Sequence, residues 1–262
     1  MDLGLKGKIA LLTGASSGLG LATAKTLAAE GVRLAINSRS TEKLAKAKAE
    51  LAELGAEVLT LPGDLSDPAT PTKLVEASLA AYGGLDLLFT NAGGPPPMRF
   101  EDVDDAVWQS AVELAFLSHV RLIRAALPAL RQSEAPAVLT VTSVSVKQPI
   151  PALVLSNSVR AATVGLTKTL ALELGEDGIR FNSILPSWTQ TERVEKLLAD
   201  RSQRNGTTRE QEIEKQNQQS ALGRMATPQE FANAAAFLLS PAASYITGVM
   251  LTVDGGSYKG TF

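Results

Sequence analysis

The stretch Thr13-Gly14-Ala15-Ser16-Ser17-Gly18-Leu19-Gly20 decides the fold. It follows a short apolar run, Ile9-Ala10-Leu11-Leu12, and leads into a helical pattern over 19–29. A strand, a glycine-rich turn and a helix in that order make a phosphate site. The glycines let the backbone turn tightly and approach a pyrophosphate, and the helix N-terminus supplies unpaired N–H groups and a partial positive charge. The spacing is G-x-x-x-G-x-G, not the commoner G-x-G-x-x-G of dinucleotide sites. In this context Thr13, Gly14, Ser16, Ser17, Gly18, Leu19 and Gly20 are read as cofactor contacts rather than as a bare structural turn.

Outward from this turn, short apolar runs alternate with longer amphipathic ones. Strands are expected at 9–13, 33–37, 57–61, 85–89, 137–142, 180–185 and 249–253, with helices near 18–30, 41–54, 69–82, 104–131, 151–175 and 228–239. That alternation predicts right-handed βαβ units and an α/β, Rossmann-like, doubly wound parallel sheet covered by helices on both faces. Asp67-Pro68 reads as N-cap and first helical residue, and Thr227-Pro228-Gln229-Glu230 as a capping box. Gly31, Gly55 and Gly178 stand where helices should stop. Residues 192–221, polar and rich in Gln, Glu and Arg, break the rhythm and are expected to form a helical lid over the ligand crevice. No linker or repeat divides the rest, so 1–262 is read as one domain.

Composition narrows the function classes. The 45% hydrophobic content over 262 residues suffices for a large core. A net charge of −2 without blocks of one sign gives no reason to expect nucleic acid or a membrane surface as partner. The absence of cysteine excludes disulfides, thiolate metal sites and a cysteine nucleophile. The N-terminus shows no signal-peptide pattern, so a cytoplasmic location is the expectation.

The second strand ends at Asn37-Ser38-Arg39-Ser40, about twenty residues beyond the glycine turn, the position that faces the adenosine ribose. An acid there binds the 2′-hydroxyl of NAD, whereas Arg accepts the 2′-phosphate of NADP. Ser38 and Arg39, with no acid at that strand end, predict NADP(H) over NAD(H). Asp64 and Leu65 end the third strand, near the adenine. Asn91-Ala92-Gly93 ends the fourth and is small enough for a ribose to lie against the backbone.

With these residues in place, the chain resembles the short-chain dehydrogenases/reductases over essentially its whole length. The resemblance rests on T-G-x-x-x-G-x-G, Asp64, Asn91-Ala92-Gly93, Ser143, Pro186, Leu222-Gly223-Arg224-Met225, Ile246-Thr247-Gly248 and Val253-Asp254-Gly255-Gly256. It implies an NAD(P)-binding oxidoreductase acting on a small molecule, with Pro186, Trp188, Thr189 and Thr191 at the nicotinamide end. It also implies a homodimer or homotetramer built on the helices near 104–131 and 151–175.

The family works with a serine, a tyrosine, a lysine four residues later, and an asparagine on the preceding long helix. Ser143 fits the serine. Family spacing places Ser156 at the tyrosine position, Arg160 at the lysine position and Ala115 at the asparagine position. Ser143, Ser156 and Arg160 are therefore the candidate catalytic residues, and Arg160 also a candidate ribose contact. No metal is expected. An aliphatic hydroxyl is far less acidic than a phenol of pKa about 10, so the usual proton route is not available. Ser145, Lys147, His119 and Tyr258 are candidate substitutes. Two functions stay open at this point: an atypical NADP-dependent redox enzyme, or a catalytically silent NADP-binding sensor or assembly protein.

Overall fold

Strand β1 (Ile9–Leu12) sends alternate side chains to opposite faces of the sheet, and both faces are dry. Leu11 joins the core on one side and Leu12 the core on the other. A strand buried on both faces reads as an unbroken apolar run, which is why 9–12 looks continuous in sequence. The computed structural model describes residues 1–261.

Along the chain come α1 (Gly18–Ala29), β2 (Arg33–Ser38), α2 (Thr41–Ala52), β3 (Val58–Pro62), α3 (Thr70–Tyr82) and β4 (Leu87–Thr90). Then follow α4 (Asp105–Val112), α5 (Ser118–Leu130), β5 (Ala137–Val141), α6 (Val154–Glu173) and β6 (Arg180–Pro186). The chain continues through α7 (Glu192–Asn205), α8 (Arg209–Asn217), α9 (Pro228–Leu239) and β7 (Met250–Val253). All seven strands are parallel, in the order β3-β2-β1-β4-β5-β6-β7. The strand order reverses between β1 and β4, and such a reversal opens a crevice at the carboxyl edge of the sheet.

Helices α1, α2 and α9 cover one face through Leu27, Leu44, Leu51, Phe231 and Leu239. Helices α3, α5 and α6 cover the other through Leu74, Leu122, Ile123, Leu130 and Ala171. The capping box at Thr227 and Glu230 is formed as the sequence indicates, and Arg224 clamps the Glu230 carboxylate, holding it at about 2. Gly31, Gly55 and Gly178 take positive φ; Gly31 and Gly55 close the turns that end α1 and α2, whereas α6 already ends at Glu173 and Gly178 turns the loop that leads into β6.

Two local expectations are corrected. Asp67 does not cap α3: its carboxylate accepts from the Ala69 N–H and the Thr70 hydroxyl, closing a turn, and the helix starts at Thr70 with Pro71 in its first turn. The long helix expected over 104–131 is interrupted by a π turn, Glu113–Leu117, between α4 and α5. Its altered backbone pairing is met by Thr163 of α6, whose hydroxyl donates to the Ala115 carbonyl at 3.0 Å. Single π turns of this kind recur beside functional sites.

Candidate active site

The glycine turn is held to the end of β4 by reciprocal bonds. The Asn91 N–H donates to Thr13 Oγ1 at 2.9 Å, and Thr13 Oγ1 donates to the Asn91 carbonyl at 3.1 Å. The Asn91 side-chain amide reaches the Gly14 carbonyl at 3.3 Å. No side chain fits inside this corner. A Cβ on Gly14 would stand 2.6 Å from the Asn91 carbonyl oxygen, and one on Gly20 would stand 2.2 Å from that of Gly14. The glycines thus let the turn fold flat against its own helix, leaving the first turn of α1 open to the crevice. That turn carries no acid, and its N-cap, Ser17, makes no side-chain capping bond. Unpaired N–H groups and the positive end of the helix dipole face the cavity, which is the chemistry of an anion site.

One cavity of about 690 Å³ runs along the carboxyl edge of the sheet. Its walls gather Gly14, Ser16, Ser17, Gly18, Leu19, Ser38, Arg39, Asp64, Leu65, Asn91, Ala92, Gly93, Ser143, Ser156, Arg160, Pro186, Thr189 and Thr191. These are all of the residues assigned from the sequence to cofactor contact or to the serine, tyrosine and lysine positions, except two. Thr13 and Gly20 do not reach the cavity; they shape the turn from behind.

At one end Arg39 is 76% exposed and its guanidinium lies 3.8 Å from the Asp64 carboxylate. Asp64 also accepts from the N–H and hydroxyl of Ser66, and the Ser66 backbone bond, with lesser help from Arg39, holds its carboxyl below the usual range. A loose, exposed pair of this kind gives little stability and leaves Arg39 available to a ligand. Lys43 stands one helical turn past Ser40, the N-cap of α2, and bonds Glu192 of α7 at 2.7 Å.

At the other end Ser143 follows β5. Its hydroxyl oxygen accepts from the Ser145 N–H at 3.1 Å, which fixes its rotamer and leaves the hydroxyl hydrogen free to donate. Arg160 is 8% exposed and donates through Nη1 to the Val141 and Thr142 carbonyls at 3.0 and 3.3 Å. Burial, and secondarily the neighbouring Arg193, lower its pKa to about 10, so it stays a cation at neutral pH. The hydroxyls of Thr142 and Ser145 and the Nε2 of His119 are buried here without a hydrogen-bond partner among the described residues. His119 bonds Thr90 Oγ1 through Nδ1 at 2.8 Å, and burial, with the Arg160 charge, pushes its pKa down to about 3. It is a neutral core imidazole.

Of the other candidate substitutes, Ser145 meets Ser143 only through its backbone N–H, and neither Lys147 nor Tyr258 lines the cavity. The Lys147 ammonium lies over the Tyr258 ring, outside the cavity wall. The Tyr82 hydroxyl donates to the Leu34 carbonyl, and Tyr245 is fully exposed. Thr189 is buried with its hydroxyl donating to the Ser187 carbonyl, and Thr191 caps α7 by accepting from the Val194 N–H. Sequence reasoning singled out no role for Lys43, Glu192 or Arg193, which also line the cavity. Among the described residues no group of acids and histidines could hold a metal ion, and no helix is long and apolar enough to cross a membrane.

Comparison with known proteins agrees with this architecture. The family model described as enoyl-(acyl carrier protein) reductase matches residues 14–258. The chain is similar to 3-oxoacyl-(acyl-carrier-protein) reductase of Escherichia coli, at 34% identity over 98% of this chain and 99% of that protein. It is also similar to the 7alpha-hydroxysteroid dehydrogenase of Escherichia coli, at 31% identity over 98% and 97%. Among solved structures, L-sorbose reductase from Gluconobacter frateurii complexed with NADPH and L-sorbose superposes with a TM-score of 0.95, at 33% identity, covering 99% of this chain and all of that one. Actinorhodin polyketide ketoreductase with NADPH superposes with a TM-score of 0.92 at 29% identity, over 97% and 98%. The glycine turn, the seven-stranded parallel sheet, the crevice at its reversal point and these full-length similarities together establish that the chain belongs to the short-chain dehydrogenase/reductase family.

Proposed function

We propose that the chain is an NADP(H)-dependent oxidoreductase that interconverts a carbonyl and an alcohol on a small molecule, using Ser143 but with Ser156 and Arg160 where the family has tyrosine and lysine. One observation carries this reading. A single cavity leads from Arg39 and Asp64, past the glycine turn, to Ser143, Ser156 and Arg160. The residues fit a nicotinamide dinucleotide: Gly14 and Gly20 keep the turn flat, α1 offers uncapped N–H groups, and Arg39 suits a 2′-phosphate. NADPH in the L-sorbose reductase and polyketide ketoreductase structures supports the same cofactor, and favours redox chemistry over a silent binding role. When bound, that cofactor supplies or accepts the hydride.

The chain's own residues then have defined tasks. Ser143, with its oxygen already engaged by the Ser145 N–H, donates its hydroxyl hydrogen to the reacting oxygen. Arg160 presents donors to the nicotinamide ribose from a fixed position set by the Val141 and Thr142 carbonyls. Ser156, short and weakly acidic, does not replace a phenol as proton donor. Among the described residues no phenol or ammonium stands in the cavity wall near Ser143, which favours water at this end of the pocket as the proton source. Helix α7, packed against α8, acts as a lid, contributing Glu192, Arg193, Val194 and Leu197 to the wall. Leu172, exposed on α6, supports assembly of a homodimer or homotetramer across that helix.

The test is a panel of aldehydes, ketones and secondary alcohols, followed through NADPH absorbance, with Ser143→Ala alongside. Turnover of a panel member by the parent and its loss of about a hundredfold or more in Ser143→Ala support the assignment. Turnover that is indifferent to Ser143 sinks its catalytic role.

A further inference from the structure

The cavity wall holds four cations, Arg39, Lys43, Arg160 and Arg193, but two acids, Asp64 and Glu192. Both acids are already engaged at the adenosine end, Asp64 with Arg39 and Glu192 with Lys43. Arg160 and Arg193 are left, and among the described residues neither has a carboxylate within ion-pair distance.

These two arginines converge on one point. A Cβ placed on Gly94 would stand 2.4 Å from one Arg193 guanidinium nitrogen and 3.3 Å from one of Arg160. Arg193 reaches this point from the second residue of α7, where its Nη1 approaches the Gly94 carbonyl at 3.4 Å. Arg160 reaches it from α6, buried, with Nη1 committed to two carbonyls of the β5 end. Two guanidinium groups brought together, one of them buried, repel each other unless an anion lies between them. Among the described residues no side chain provides that anion. Ser143 and Ser156 line the same cavity.

We propose that Arg160 and Arg193 form a clamp for an oxyanion group, carboxylate or phosphate, carried by the substrate. This rests on the oxidoreductase reading above and narrows its substrate class to acids. Planar guanidinium forks match both kinds of oxyanion in bidentate geometry, with a specificity an ammonium lacks. The dinucleotide's pyrophosphate has its own seat at the uncapped N-terminus of α1, so the arginine pair is surplus to it. Because Arg193 belongs to α7, an anion between the two arginines would also draw that helix onto the site.

The clamp is tested by titrating the protein, with and without saturating NADP⁺, with malonate, methyl phosphate and the neutral malonamide, following tryptophan fluorescence, since Trp188 lines the cavity. Arg193→Gln serves as the variant; Arg193 is exposed, and an unchanged thermal midpoint confirms that its fold is intact. The clamp predicts that malonate or methyl phosphate binds and malonamide does not. It predicts that Arg193→Gln weakens the anion by about tenfold or more, the loss of one charge-assisted contact, while NADPH affinity moves less than about threefold. Equal binding of malonate and malonamide, with no binding of methyl phosphate, overturns it. So does an Arg193→Gln variant that loses NADPH as steeply as the anion, because the pair would then serve the dinucleotide phosphates. If the parent binds no NADPH at all, the cofactor reading fails, and the titrations without NADP⁺ still decide the clamp.

Discussion

Replacing Gly20 by alanine should destabilise this protein, although the same change inside an ordinary helix does the opposite. On backbone propensity, Gly→Ala within a helix gains about 1 kcal/mol. Gly20 lies in the first turn of α1, so that gain applies in principle. The geometry opposes it. The new Cβ would stand 2.2 Å from the Gly14 carbonyl oxygen, 2.8 Å from its carbonyl carbon and 2.9 Å from the Ala15 Cα. These are backbone atoms of the glycine turn, and that turn is bonded to Asn91, just past β4, and, through the Ala15 N–H, to the Asn37 carbonyl on β2. It cannot yield as a flexible side chain would. Overpacking of this kind costs about 3 kcal/mol, which leaves a net loss of about 2 kcal/mol after the propensity gain. For a chain of this length that lowers Tm by about 4–8 °C. The displaced turn also carries the phosphate-facing N–H groups, so NADPH affinity should fall about tenfold or more. Differential scanning fluorimetry with and without NADPH reads both effects. A Tm that rises would refute the claim that the turn packs against its own helix.

Arg39→Asp should weaken NADPH by about tenfold to a hundredfold, the worth of charge-assisted bonds to a phosphate, and leave NADH affinity unchanged or improved; equal effects on both would make Arg39 an ordinary surface residue. His119, at about 3 in the folded state, refuses a proton that the unfolded chain accepts near its ordinary 6.5, so its contribution is complete above pH 6.5 and is lost as pH falls toward 3. Urea unfolding at pH 7 and pH 5 should show about 2 kcal/mol more acid loss in the parent than in His119→Asn; equal losses would place that titration elsewhere. Glu212 accepts from Lys215, Thr207 and Asn205, is held at about 2, and ties the α7–α8 turn together. Its contribution is present above the ordinary carboxylate range and is lost as pH falls toward 2. Protection factors over 192–217, taken relative to the intrinsic exchange rate at each pH, should therefore fall at pH 3 and in Glu212→Gln at neutral pH, with the sheet unaffected. Ser156→Tyr combined with Arg160→Lys should raise carbonyl reduction above the parent if the missing proton donor limits the rate; no change would move the limit to another step.

The parallel sheet was readable because β1, β4 and β5 are buried on both faces and therefore appear as plain apolar runs, bounded by glycines such as Gly31 and Gly55 that take the positive φ a helix stop requires. What could not be read depended on pairings between distant residues. Asp67 looks like a cap beside Pro68, but its carboxylate bonds Ala69 and Thr70 in a turn, and both arrangements suit an Asp-Pro pair. The π turn at Glu113–Leu117 leaves no compositional trace, because its compensating bond comes from Thr163 on another helix. Within the site, the strand-end residues from Ser38 to Pro186 could be named because topology sends every strand end to one edge. Arg193 could not, because its position depends on how α7 folds back over Gly94, a contact ninety-nine residues apart in sequence. Lys43 was hidden for the same reason: its partner Glu192 lies across the cavity.

The central claim, that the cavity is built for NADP(H) and selects it through Arg39, is tested most directly by titrating the purified protein with NADPH and NADH, following fluorescence of the reduced nicotinamide. The account predicts saturable NADPH binding at least about tenfold tighter than NADH, the margin of one charge-assisted contact to the 2′-phosphate. No binding of either dinucleotide, or tighter binding of NADH, would contradict it.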